Sequence, residues 1–310
     1  MTLALVLCAA LALGMQVATA AYAPTAWTGE ASPVTQTTAM LKGVVGPGNQ
    51  DIDYYFQYGQ TSVYEAQTPA TLAGGGTQPI HVSAAISGLS AATLYHYRLV
   101  VTNPSYMIEG TDQTFTTKKD PLTFTLATRV TRSMFGSSLT VAGTLAGTGS
   151  AGHVVELQAN PFPFLGGFKS LVGPLPTSSD GSFSFAVPKL LQNTQLRVAT
   201  LDTPPVYSPI EVALVAVRVT LNLRPTSRHG FARLYGTVRP AEVGAPVEIQ
   251  LLRPVGGVVT VASTLVKRGT ATVSRFSRVV RIRRAGLYRA FVDVLSGAQI
   301  SNHSRAVLIR

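Results

Sequence analysis

The chain has 310 residues, a net charge of +11 and one cysteine, Cys8. A single cysteine excludes an internal disulfide and a thiolate metal site, and 46% apolar residues exclude a disordered polyelectrolyte. Charged residues make up only 13% of the chain, whereas Gly, at 28, and Pro, at 19, are plentiful, as in proteins of many strands and tight turns.

Residues 1–20, "MTLALVLCAALALGMQVATA", are apolar and uncharged and end in Ala18-Thr19-Ala20. Small residues at that spacing are what a signal peptidase reads, so a secretory signal peptide in an apolar helix is expected, and the membrane is met only in transit. A retained membrane anchor is the alternative. Leu7 stands where lipoprotein processing at Cys8 needs a small residue. The rest of the chain is then expected outside the cell, secreted or held at the cell surface. Without cysteines each of its domains must stand on its own apolar core.

Residues 21–120 read as the first domain. In "DYYFQYG" (53–59) Tyr54, Phe56 and Tyr58 alternate with Tyr55 and Gln57, the period of a half-buried strand. "TTAMLKGVV" (37–45), "IHVSAAISGL" (80–89), "TLYHYRLVVTN" (93–103) and "DQTFTT" (112–117) supply further strands, separated by "GPGN" and "AGGGTQP" turns. The stretch "GLSAATLYHY" (88–97) resembles the tyrosine corner of fibronectin type III domains, and with "YYFQYG" and "DQTFTT" the likeness covers residues 24–117. It looks like the bacterial branch of that family. The resemblance implies a β-sandwich in which Tyr95 holds the corner and Tyr97 lies in the core, both structural. Ala91-Ala92 stands where a Pro-Gly-like turn is usual.

Residues 121–310 repeat internally. "GHVVELQ" (152–158) matches "GAPVEIQ" (244–250), and "LRVA" (196–199) matches "YRAF" (288–291) at the same offset. A period of one sandwich divides this part into 121–214 and 215–310, both similar to bacterial Ig-like repeats. The join, "PPVYSPIEVALVAVRVTLNLRP", has no Gly/Ser spacer, so a semi-rigid head-to-tail link is expected. Glu156 and Glu248 recur at equivalent places, and pairing with Arg197 and Arg289 is the expected reason. The fold class is therefore all-β, three tandem β-sandwiches after a signal helix.

The charge is concentrated at one end. Residues 215–310 carry sixteen Lys and Arg against three Asp and Glu, whereas residues 22–120 carry four against seven. In "SRFSRVVRIRRAGLYR" (274–289), read as a strand, Phe276, Arg278, Val280 and Ile282 share one face, and Arg275, Val279, Arg281 and Arg283 share the other, with Arg284 at the turn. A ladder of arginines repels itself and suits an anion such as a cell-wall polymer or acidic polysaccharide. No aromatic interleaves with it in that stretch, which argues against specific nucleic-acid recognition. A second feature is "NPFPFLGGF" (160–168), whose prolines mark a hairpin tip or edge and whose Phe162, Phe164 and Leu165 offer an apolar contact, either to a partner or to the chain's own domains.

Catalytic chemistry finds little footing. The acids Asp51 and Asp53 flank Ile52 beside a turn, and His81, His96, His153, His229 and His303 are scattered, His96 on a solvated face. No nucleophile elbow, P-loop or acid-rich calcium loop occurs, so no metal, no cofactor and no enzyme activity is expected. The expected role is a scaffold, spacer or adhesion module. The alternative is an accessory carbohydrate-binding protein of an extracellular polysaccharide-degrading system, with Trp27 and Tyr55 as the available stacking rings; a hydrolase would need acids converging in a cleft. The C-terminal "SNHSRAVLIR" carries no wall-sorting signal.

Overall fold

The computed structural model describes residues 22–127 and 132–310, and among them every regular element is a β-strand. The expected signal segment, 1–20, lies outside the described residues. The chain divides after Asp120 into two compact units.

In the first unit β1 (Thr25–Thr28), β2 (Thr38–Gly46) and β6 (Ile80–Ser87) form an antiparallel sheet in the order β1-β2-β6. The facing sheet is centred on β3 (Ile52–Gly59) and β7 (Leu94–Asn103). The short β4 (Ala66–Gln67) and β5 (Thr71–Gly74) pair with β3, and β8 (Tyr106–Glu109) and β9 (Gln113–Thr116) pair with β7. This is the strand order of a fibronectin type III-like sandwich. Alternation sets the core: Leu41, Val45, Phe56, Tyr97, Leu99 and Val101 are buried between the sheets. The hydroxyl of Tyr95 accepts the Ser90 amide proton at 2.9 Å, and Tyr97 donates to the Gly29 carbonyl at 2.6 Å. Beside that corner Ala92 has a φ of 50°, in the left-handed region that a glycine occupies more readily.

The second unit holds two further sandwiches. In the middle domain β10 (Thr123–Leu126), β12 (Leu139–Ala146) and β15 (Ser182–Val187) face a sheet of β11 (Arg132–Met134), β17 (Glu211–Ala216), β16 (Thr194–Thr200), β13 (Val154–Pro161) and β14 (Lys169–Pro176). Phe183, Phe185, Val155, Leu157 and Val198 fill the space between them. In the last domain β20 (Phe231–Arg239) pairs on one edge with β18 (Arg218–Val219) and β19 (Asn222–Pro225), and on the other with β23 (Ser274–Arg281). Opposite lie β22 (Val258–Leu265), β21 (Pro246–Leu252) and β24 (Gly286–Val292), with β25 (Asn302–His303) and β26 (Val307–Ile309) along β24. Leu234, Val247, Ile249, Phe276 and Tyr288 form this core.

The handover between these two domains is direct: Val215 belongs to the middle core and Val217 to the last. Hydrogen bonds tie the junction on several sides. The Asn193 side chain donates to the Gly297 carbonyl at 2.8 Å and accepts from the Val215 amide at 2.7 Å, and Gln299 donates to the Leu191 carbonyl at 2.8 Å. Arg132 reaches Asn302 Oδ1 at 2.8 Å, and Arg218 reaches the Phe135 carbonyl and the Ser137 hydroxyl. At about 1 kcal/mol net per bond, more where a charge donates, this set holds the two domains as one body.

All three domains repeat two devices. Each has a glycine mid-strand, Gly43, Gly143 and Gly236, where a Cβ would strike both a backbone carbonyl and a core side chain at under 3 Å. Each also has a cross-strand Gln–Arg pair on the outer side of one sheet: Arg98 donates through Nε to Gln57, Arg197 to Gln158 and Arg289 to Gln250, at 2.8, 2.8 and 2.9 Å. The repeat seen between residues 152–199 and 244–291 therefore extends, in structure, to the first domain.

Candidate functional site

The site is the outer face of the sheet formed by β18, β19, β20 and β23. Along β20 the residues Ala232, Leu234, Gly236 and Val238 are buried, so Phe231, Arg233, Tyr235, Thr237 and Arg239 point the other way. Along β23 Ser274, Phe276 and Val280 are buried, and Arg275, Ser277, Val279 and Arg281 face outward. Register then sets the neighbours. Arg233 lies between Arg224 of β19 and Val279 of β23; Tyr235 lies between Asn222 and Ser277; Thr237 lies beside Arg275; Phe231 lies beside Arg281. Lys267 bridges to Arg275 from the far side, which extends the row by one more cation.

Five exposed arginines, Arg224, Arg233, Arg239, Arg275 and Arg281, and the exposed Lys267 thus share one sheet face. Directly opposed side chains in antiparallel strands stand about 5 Å apart, so the like charges of Arg224 and Arg233, and of Lys267 and Arg275, repel. None of the domain's three carboxylates occupies an outward position of these strands. Glu248 accepts from Gln250 and Thr260 on the other sheet, Asp293 accepts from Ser301, and Glu242 follows the end of β20. Burial raises the Glu242 carboxyl above its ordinary range. The polar partners that do occur on the face are neutral, a 3.2 Å bond from Arg233 to the Ser277 hydroxyl and a Thr220–Thr237 hydroxyl pair at 2.8 Å. Chemically, the face can hold a string of oxyanions through guanidinium forks.

Two aromatic rings stand among these cations. Tyr235 is 40% exposed at the centre of the sheet, and Phe231 carries the Arg228 guanidinium 4.1 Å over its ring. The stretch 274–289 holds no such ring on its outward side, so read by itself it shows a purely cationic ladder. Arg224, Arg233, Arg239, Lys267 and Tyr235 were also missed. The alternation in "FARLYGTVR" signals that Arg233, Tyr235 and Arg239 share a face, but nothing local says which strand lies beside them.

Of the expected anion-binding residues, Arg275 and Arg281 lie on the face. Arg283 does not continue the ladder, because β23 ends at Arg281. Arg283 and Arg284 are exposed in the following loop, where the Arg284 carbonyl accepts the Tyr288 hydroxyl at 2.7 Å in a second tyrosine corner. Arg278 has inward parity yet is exposed. The apolar trio divides. Residues 162–168 connect β13 to β14, and only Leu165 is fully exposed, at 86%. Phe162 and Phe164 are half-buried and meet edge to face at 5.6 Å, and the Phe162 ring lies against Gly297 of the last domain. Phe162 thus packs on the chain itself, whereas Leu165 stands out in solvent.

The expected Glu–Arg pairs are indirect, because the intervening glutamine separates them. Gln158 donates to Glu156 at 2.7 Å while accepting from Arg197, and Gln250 donates to Glu248 at 2.9 Å while accepting from Arg289. The Arg197 guanidinium also lies 4.1 Å over Phe168 and 3.8 Å over Tyr207. His96 is not on a free solvated face: its Nδ1 meets Asp112 at 2.8 Å, and Tyr64 donates to the same carboxylate at 2.7 Å. Burial and the Asp112 charge push the Tyr64 phenol up to about 12. Burial acts upward on the Asp112 carboxyl too, but the bonds from His96 and Tyr64 hold it below its ordinary range. Arg98 caps this cluster, stacked 4.5 Å over Tyr64 and paired with Glu109.

Asp51 and Asp53 are both exposed, and Trp27 and Tyr55 lie in different sheets of the first sandwich, on β1 and β3, so the two rings form no shared stacking platform. Among the described residues no three His, Cys, Asp or Glu side chains converge on a point that would hold a metal ion.

No protein-family model matches the chain, and neither does any curated protein. Among solved structures it is similar to the FN1–FN3 domains of chicken CNTN1, with 13% identity over 92% of this chain and 97% of that one and a TM-score of 0.30. It is similar to bovine butyrophilin, with 12% identity over 61% and 99% and a TM-score of 0.33. It is also similar to dimeric latent PorU of Porphyromonas gingivalis, with 11% identity over 92% of this chain and 33% of that one and a TM-score of 0.26. All three scores lie below 0.5, and the fold class stands on the strand order of each domain: a tandem β-sandwich protein with one basic sheet face.

Proposed function

We propose that this chain is a non-catalytic scaffold of the cell exterior, secreted or surface-held, whose last domain grips an anionic polymer through the outer face of β18, β19, β20 and β23. The observation that carries the reading is the exposed set Arg224, Arg233, Arg239, Arg275 and Arg281 on one sheet face with no carboxylate in an outward position there. Cations arranged this way leave an electrostatic cost that a polyanion removes. The other two sandwiches, with Arg98, Arg132 and Arg197 already hydrogen-bonded or stacked, act as spacer and body. The apolar run 1–20 ending in Ala-Thr-Ala supports export.

The test is retention of the full chain on dextran sulfate and polyphosphate resins across a salt series. Wild type is retained at low salt and elutes as salt rises. Replacing Arg224, Arg233, Arg275 and Arg281 with Ser abolishes retention. Equal retention of that variant, or none by wild type at low salt, overturns the reading.

A further inference from the structure

We propose that the preferred polyanion is a single-stranded nucleic acid, bound without sequence preference, with Tyr235 as the stacking platform for a base and the surrounding arginines as phosphate contacts. This rests on the reading that the basic face holds a polyanion, and it adds what the ligand carries between its charges.

The face is a row of cations broken at its centre by a flat ring. Tyr235 is 40% exposed, and its cross-strand neighbours are Asn222 and Ser277, side chains too small to cover a phenol. Arg233 and Thr237 flank it along β20, with Arg224 beside Arg233 and Arg275 beside Thr237. Arginines therefore stand diagonally on either side of the ring, across two neighbouring strands. A positively charged face of this kind tracks a phosphate backbone, and an unpaired strand leaves its bases free to turn toward a ring. A positively charged track with an exposed aromatic is the physical requirement for binding unpaired strands, since every base has a π-face and stacking is indifferent to sequence. A sheet face is also a common place for such stacking. A duplex fits less well: its bases are already stacked, and an open sheet face presents no helix or ribbon to enter a groove.

Other places in the molecule offer less. The Tyr64–His96–Asp112 cluster is internally satisfied, and Phe162 already lies against Gly297 of the last domain.

The experiment compares binding of the full chain at low salt to fluorescein-labelled oligothymidylate, to inorganic polyphosphate, which has charge and no base, and to polygalacturonate, which has charge and sugar rings. Wild type binds oligothymidylate more tightly than polyphosphate of matched charge. Tyr235→Ala weakens oligothymidylate about tenfold, the size expected for one lost base stack, and leaves polyphosphate unchanged. Unchanged polyphosphate binding also shows that the variant is folded, and Tyr235→Phe restores the oligonucleotide. If oligothymidylate and polyphosphate bind alike and Tyr235→Ala alters neither, the nucleic-acid inference fails while the polyanion reading stands. If Tyr235→Ala weakens polygalacturonate and not oligothymidylate, the ring serves a sugar and the inference also fails. If no polymer binds, both readings fail together.

Discussion

Arg197 of the middle domain and Arg275 of the last are both outward residues of sheet strands, yet their surroundings are opposite. Arg197 donates to Gln158, which leads on to Glu156, and lies between the rings of Phe168 and Tyr207 at 4.1 and 3.8 Å. Arg275 has Thr237 on one side and Lys267 on the other, and Arg233 and Arg281 share its face. The first guanidinium is fully used by the fold. The second has neighbours of its own sign. An arginine's role in this protein is therefore read from what surrounds it, not from its place on a strand: satisfied arginines fasten sandwiches, and crowded ones are the proposed anion contacts.

Substitutions break this comparison in opposite directions. The largest effect belongs to the crowded set. Converting Arg224, Arg233, Arg275 and Arg281 together to Ser lowers affinity for polyphosphate roughly a thousandfold, at about 1 kcal/mol per lost contact, in a fluorescence competition assay. The same variant melts no lower than wild type at low salt, because like-charge repulsion is relieved. For the satisfied set the result is inverted. Arg197→Met costs about 2 kcal/mol in chemical denaturation, through lost ring stacking and a lost charged hydrogen bond, and leaves polyphosphate binding unchanged.

Two carboxylates sharpen the comparison through pH. Asp112 has a folded pKa below its ordinary value, so its contribution is complete above the unfolded carboxyl's titration, near pH 3.9, and is lost as pH falls through the lower folded value. Asp112→Asn flattens the acid limb of the first unit's stability profile, by a modest amount because the carboxylate is 41% exposed. Glu242 has the opposite sign. Its raised folded pKa makes stability decline as pH climbs from the ordinary carboxyl range through the raised value. Glu242→Gln removes that decline and lifts the melting midpoint near neutrality by about 1–2 °C, measured by calorimetry.

Much of the fold was legible because strand alternation is a local signal. "YYFQYG" and "SRFSRVVR" place the right residues inward at Phe56, Phe276 and Val280, and the tyrosine corner at Tyr95 is implied by the resemblance of "GLSAATLYHY" to fibronectin type III domains. The face was legible only in part. Arg275 and Arg281 stand out in an arginine-dense stretch, but Arg224 and Arg233 are single arginines in "NLRP" and "FARL", brought beside each other by pairing register. Register is a long-range property, so a ladder read along one strand shows its length and not its width. The same limit hid the Gln57–Arg98 pair as kin to those of the later domains, and hid Asp112 as the partner of His96. It also made residues 162–168 look like a free apolar tip, because the loop that meets Phe162 lies 135 residues away at Gly297.

The most direct test of the distinction between satisfied and crowded arginines is the salt dependence of polyphosphate binding, measured on the full chain for wild type, for Arg197→Met and for the fourfold Arg-to-Ser variant. If the crowded set carries the contacts, log affinity falls with log salt at a slope of about −3 to −4 for wild type and for Arg197→Met, near one unit per phosphate held. The slope of the fourfold variant then collapses toward zero. A steep slope that survives in the fourfold variant, or one that Arg197→Met abolishes, contradicts the account.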